Sequence, residues 1–299
     1  MKINLKRLKI ISLLGKALEE FRKNDPLRMA GATAFFTTFA LPAVLIILIQ
    51  VFGLVLSPRF ISRQLFQNLG EVIGTNTAVE IHKTLFNVRH LSRNWYEAAL
   101  GFLFLIFVAT TLLKVIKDSL NQLWNIRVVK HPGVGYNLLN RVKSFLVILF
   151  AGLLFLFVLL AEGGLNLMRD DPSMKNSLLA TALIRQLISF ILVTIWFFIL
   201  LKFLPDGRPS WKTVVAGSCF TGLLFSIGKL LLQWLLTYSS MQTVYGASTS
   251  SVLLLLFVFY SSFIFYYGAC FTRVWGEFHQ NPIKPAKHAE KYEWSQVAL

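Results

Sequence analysis

The chain has 299 residues, of which 55% are hydrophobic and only 15% charged, too few polar groups to cover a water-facing surface. That excludes an ordinary soluble domain and makes lipid the solvent for much of the molecule. Thirty Lys and Arg against fourteen Asp and Glu give a formal charge of +16, which on so apolar a chain reads as basic loops facing anionic headgroups, not as a nucleic-acid surface.

Residues 1–31 form the first segment. Charges are interleaved from Lys2 to Lys16, so there is no uninterrupted apolar core of the kind a cleavable signal needs. Leu5, Leu8, Ile11, Leu14, Leu18 and Phe21 recur at helical spacing among these charges and predict an amphipathic helix. Two placements stay open for it: flat on the cytoplasmic leaflet, or packed beneath the bundle.

Crossing a hydrocarbon core of about 30 Å takes about 20 apolar residues in a helix, because lipid cannot satisfy exposed backbone groups. Six stretches qualify, at about 32–56, 97–116, 144–167, 183–204, 213–236 and 248–272. The predicted fold class is therefore all-α, a bundle of six transmembrane helices over 32–272, followed by a tail over 273–299. Between the first two spans, the loop 57–96 is too apolar for a plain connection. Phe60, Ile61, Leu65 and Phe66 predict one short helix there, and Ile81, Leu85 and Val88 another, both capping the outer mouth.

Lys and Arg set the orientation. Twenty-one precede the first span or fall in 114–143, 202–212 and 273–291, and eight fall on the opposite side. The richer side is expected in the cytoplasm, with both termini inside and 57–96 in the periplasm. No internal repeat is evident, which weighs against an inverted-repeat transporter.

Three stretches carry a resemblance. The first is Asp25-Pro-Leu-Arg-Met-Ala-Gly-Ala-Thr-Ala-Phe-Phe with Leu41-Pro42 downstream. The second is Ser119-Leu-Asn-Gln-Leu-Trp-Asn. The third runs from Tyr245-Gly-Ala-Ser to Tyr267-Gly-Ala-Cys-Phe-Thr. In order and spacing they resemble the YihY/BrkB family of bacterial inner-membrane proteins, over about residues 15–277. The resemblance implies a six-helix membrane fold and phospholipid movement toward the envelope beside a periplasm-spanning lipid-transfer protein. It also brings an old ribonuclease label. The five histidines are scattered and no acidic cluster faces the cytoplasm, so neither catalysis nor a metal or other cofactor is expected. Cys270 stands where that family commonly carries a glutamate, and any role of that acid does not carry over.

Ionisable groups within spans are the first candidates for function. Glu162 and Lys229 both sit roughly 10 Å below the outer boundary, counted at about 1.5 Å per residue, and can pair across the bundle. Ser218, Gly222, Ser226, Lys229 and Gln233 share one narrow helical stripe. Read functionally, the stripe binds an anionic headgroup through Lys229; read structurally, it is a packing seam of small residues. Pro42 is expected to kink the first span, Tyr245-Gly246 to turn into the last, and Gly268 to allow close approach there. Trp124 reads as an interfacial anchor.

The leading functional expectation is a transport component for phospholipid or another anionic amphiphile. A small-solute or ion transporter and a non-transporting scaffold are the alternatives, and the number of subunits is open.

Overall fold

The computed structural model describes residues 2–52, 79, 95–129, 142, 146, 147, 150, 153, 178–238 and 249–292. Most of the loop expected over 57–96, most of the expected third span with Glu162, and the Tyr245-Gly246 turn lie outside the described residues, as does a Glu162–Lys229 pair. Six long helices occur among them: α1 (Lys2–Lys23), α2 (Pro26–Phe52), α3 (Trp95–Leu123), α4 (Leu178–Phe203), α5 (Trp211–Tyr238) and α6 (Thr249–Phe278). Between and after them run four short strands, β1 (Ile126–Val128), β2 (Gly207–Arg208), β3 (Lys284–Pro285) and β4 (Ala289–Lys291).

Among the described residues three helices, α4, α5 and α6, are long and apolar enough to cross a membrane over Gln186–Phe203, Trp211–Leu232 and Ser251–Phe278. The molecule is thus a mostly helical, multi-pass membrane protein. Large apolar side chains such as Leu187, Ile191, Leu223, Leu230 and Leu231 stand exposed on these helices, as a hydrocarbon solvent requires. The α2 helix carries Pro42 within a continuous run, and Gln233 lies within α5.

Helix α6 is the hub, packing against α5, α2, α1 and α3. Its contact with α2 is fastened by a 2.6 Å hydrogen bond between the buried hydroxyls of Thr33 and Tyr266. With α1 it buries Phe21, whose ring meets Phe263 edge-on at 4.8 Å, while the Tyr267 hydroxyl donates to the Leu14 carbonyl at 3.2 Å. Of the two placements open to the N-terminal helix, this contact realises docking on the bundle: Leu13, Ala17 and Phe21 are buried. Ile11 and Leu18 face outward.

The ends of α3, α4 and α6 and the start of α5 meet at one end of the bundle. Trp124 is 1% exposed there, and its indole N–H donates to the Ala269 carbonyl at 3.0 Å. It bolts α3 to α6 inside the protein, where the sequence pointed to a lipid-interface anchor. Asn125 follows in the left-handed region at φ 53° and ends α3, a conformation asparagine tolerates better than most residues. Arg273 closes the same junction. Its guanidinium donates to the Leu123 carbonyl at 3.0 Å and pairs with Glu20 of α1 at 3.3 Å and Glu277 at 3.2 Å.

The C-terminal segment is folded onto this end. After α6 it returns as β3, antiparallel to β2 with Arg208 opposite Lys284, and as β4, antiparallel to β1 with Arg127 opposite Glu290. Residues 284–291, within the stretch taken from sequence as a tail, thus pair with the turns that follow α3 and α4.

Candidate functional site

Two prolines frame the polar centre of this end. Pro205 cannot donate to a helix and stops α4 at Phe203. Pro209 precedes Ser210, which caps α5 by accepting from the Thr213 amide at 3.3 Å. Between them Asp206 is held at 6% exposure, a carboxylate that needs compensation if it is to stay charged.

That compensation comes from three directions. Asn121 of α3 donates to Asp206 Oδ2 at 2.9 Å and accepts from the Asp206 amide at 2.9 Å. Lys117 Nζ, one helical turn earlier, lies 2.9 Å from Oδ1, and His288 Nε2 lies 3.0 Å from the same oxygen. The Ala286 amide donates to the Asp206 carbonyl at 2.8 Å. Burial pushes the Asp206 carboxyl up, but the hydrogen bonds from His288, Lys117 and Asn121, with the Lys117 charge, outweigh it and hold the group below the usual carboxylate range. Gly207 follows because a side chain there would run into the Trp124 ring.

Beside this cluster opens a cavity of about 480 Å³, within the size range of small-molecule sites. Its apolar wall is built by Leu146, Val147 and Phe150 together with Ile199 and Phe203 of α4. Leu146, Phe150 and Phe203 are about half exposed and form an apolar rim. The polar side carries Asp206, His288, Lys202 and Arg208. Lys202 is engaged, donating to the Pro209 carbonyl at 2.7 Å with its ammonium 4.9 Å from the centre of the Trp211 ring. The Arg208 side chain is exposed and makes no ion pair or hydrogen bond among the described residues. Since Lys117 matches the Asp206 charge, Lys202 and Arg208 leave this side of the cavity positive.

The stripe singled out on α5 has a different character. Gly222 is buried so close to α4 that a side chain would meet the Thr194 hydroxyl. Gly217 of α5 faces Thr272 of α6, and Gly268 of α6 faces Thr221 of α5, a reciprocal small-residue seam that brings the two backbones together. Ser218 is 1% exposed, and Ser226 donates to the Gly222 carbonyl at 2.9 Å. Lys229 is half-buried and makes no ion pair or hydrogen bond among the described residues. The structure therefore places Gly222 and Gly268 in helix packing, and the cavity beside Asp206 is lined by other residues.

The residues missed from sequence are Lys117, Asp206, Arg208 and His288. A signal for Asp206 was present in Leu204-Pro-Asp-Gly-Arg-Pro, a turn between two spans whose single acid sits among basic residues. Nothing local marks His288, which reaches the site only because the chain folds back. Among the described residues no three His, Cys, Asp or Glu side chains are grouped to hold a metal ion.

The family model described as "Virulence factor BrkB" matches residues 17–293, nearly the whole chain and all of the elements that build this end. The chain belongs to the BrkB family. Relatives extend the match at low identity. A UPF0761 membrane protein of Acinetobacter baylyi is 22% identical over 268 residues, 89% of this chain and 62% of the relative. One from Mannheimia succiniciproducens is 23% identical, covering 86% of this chain and 87% of the relative. One from Saccharophagus degradans is 23% identical, covering 88% of this chain and 59% of the relative. This BrkB-family chain thus spans less than two thirds of the Acinetobacter and Saccharophagus proteins. No solved structure matches it.

Proposed function

We propose that this BrkB-family protein is a non-catalytic transport component of the bacterial inner membrane. It handles phospholipid or another anionic amphiphile with a partner protein that carries the lipid across the periplasm. In this reading six helices span the bilayer, both termini are cytoplasmic, and the end built around Asp206 faces the cytoplasm. The grouping of the basic stretches supports that orientation: the α1–α2 junction, the end of α3, the α4–α5 turn and the C-terminal cap all meet there.

The observation that carries the proposal is the cavity, which joins an exposed apolar rim to a positive polar side, the pairing that an acyl chain and an anionic headgroup would need. A small-solute path would require polar walls throughout, and Leu146, Val147, Phe150, Ile199 and Phe203 do not supply them.

The test is native mass spectrometry of the full chain released gently from its own membrane, beside Leu146→Trp, which fills the rim at an exposed position. Retained phospholipid that is lost in the variant is the expected result. A wild type that carries no phospholipid sinks the proposal, and equal retention by both proteins removes the cavity from it. Lys229→Met measured alongside is expected to retain lipid like the wild type.

A further inference from the structure

We propose that Arg208 is the specificity-determining residue of the cavity and selects amphiphiles whose headgroup carries a net negative phosphodiester over zwitterionic ones. This deepens the reading above and rests on it. The argument starts from which cations are free. His288 and Lys117 are engaged with Asp206, and the Lys202 ammonium is held by the Pro209 carbonyl and the Trp211 ring. Both oxygens of Asp206 are engaged, Oδ1 by Lys117 and His288 and Oδ2 by Asn121. Arg208 is left at the cavity with its full donor set. A guanidinium presents paired N–H groups that match two oxygens of a phosphate.

A second observation points the same way. Arg208 stands directly opposite Lys284 in the β2–β3 pairing, so the fold places two like charges across one register position. Such a pair is destabilising unless an anion lies near it. A phosphodiester at the cavity mouth would relieve that repulsion while its chain lies along Phe203 and Phe150. A zwitterionic headgroup brings its own ammonium toward Arg208, Lys284 and Lys202 and loses the advantage.

The experiment presents the full-length protein in mixed micelles with equal phosphatidylglycerol and phosphatidylethanolamine of matched chains, and counts each bound lipid by native mass spectrometry. The wild type is expected to favour phosphatidylglycerol. Arg208→Gln is expected to lower that preference roughly tenfold while still binding lipid, about 1.4 kcal/mol in the ratio of affinities. Arg208→Lys keeps the charge but loses the paired N–H geometry and is expected to retain only part of the preference. Equal binding of the two lipids by the wild type, or an unchanged preference in Arg208→Gln, overturns the proposal. Displacement of phosphatidylglycerol by excess inorganic phosphate also overturns it, because the source of the anion would then be soluble. Absence of any bound lipid in the wild type instead removes the transport reading beneath it.

Discussion

The α5–α6 seam and the polar end are both held by contacts between α6 and its neighbours, yet they are built in opposite ways. The seam works by subtraction: Gly217 and Gly268 lack side chains so that Thr272 and Thr221 can occupy their space, as Gly222 does for Thr194 where α5 meets α4. The polar end works by addition, gathering Asp206, Lys117, Asn121, His288 and Arg273 from distant parts of the sequence. Between helices already in lipid there is little hydrophobic gain from association, so close packing carries the contact. At the headgroup level the helix termini expose backbone groups that need partners, and polar side chains can be supplied there at lower cost. The cavity beside Asp206 opens where the second strategy is used.

The largest effect is expected from breaking the added charges. Lys117→Met leaves the buried Asp206 carboxylate without its matching cation and is expected to cost about 3–5 kcal/mol. Unfolding in mixed detergent micelles measures it, and the added change Asp206→Asn should recover most of the loss. The same carboxylate sets a pH dependence. Its folded pKa lies below the unfolded value of about 3.9, so its contribution is whole above about pH 4 and is lost as pH falls through the lower, folded value. The stability difference between wild type and Asp206→Asn should therefore shrink below about pH 4. A difference that held or grew below about pH 4 would contradict the assignment.

The seam is expected to respond less strongly, and to size instead of charge. Gly268→Val drives a branched side chain into Thr221 and is expected to destabilise by about 1–3 kcal/mol, independent of pH. Gly15, where a Cβ meets nothing within 4 Å, is the contrast within the same molecule: Gly15→Ala should be neutral or stabilising by up to about 1 kcal/mol. Similar losses at both positions in the same unfolding assay would show that helix propensity, not the α5–α6 approach, governs the seam.

These two regions were unequally legible in the sequence. Apolar length announced helices at α2, α4, α5 and α6, because hydrocarbon imposes one rule on every residue of a span. The stripe from Ser218 to Gln233 was visible as a periodicity, although whether it packed or bound was not, since small residues serve either purpose. The polar end was nearly invisible. Asp206, Lys117 and His288 are separated by 82 residues or more along the chain, with no common spacing, and Asp206 to His288 is closed only by strands of two or three residues. Trp124 was read as facing the interface because tryptophan does so by habit. Its burial depends on Gly207 and Ala269, which a local reading does not bring near.

Trp124 supplies the smallest and sharpest test of how far the polar end and the cavity are separable. Trp124→Phe keeps an aromatic ring between Gly207 and Ala269 but removes the indole N–H that reaches the Ala269 carbonyl at 3.0 Å. The loss of one buried hydrogen bond to a carbonyl within a helix is expected to cost about 1 kcal/mol in the same micelle unfolding assay. The cavity is lined by other residues, so lipid preference should stay at the wild-type ratio. A shift in that ratio would mean that the α3–α6 bolt positions the β2 turn carrying Arg208, since Gly207 packs on Trp124 and immediately precedes it. The bolt and the selecting arginine would then be one device, and the seam alone would remain as purely structural packing.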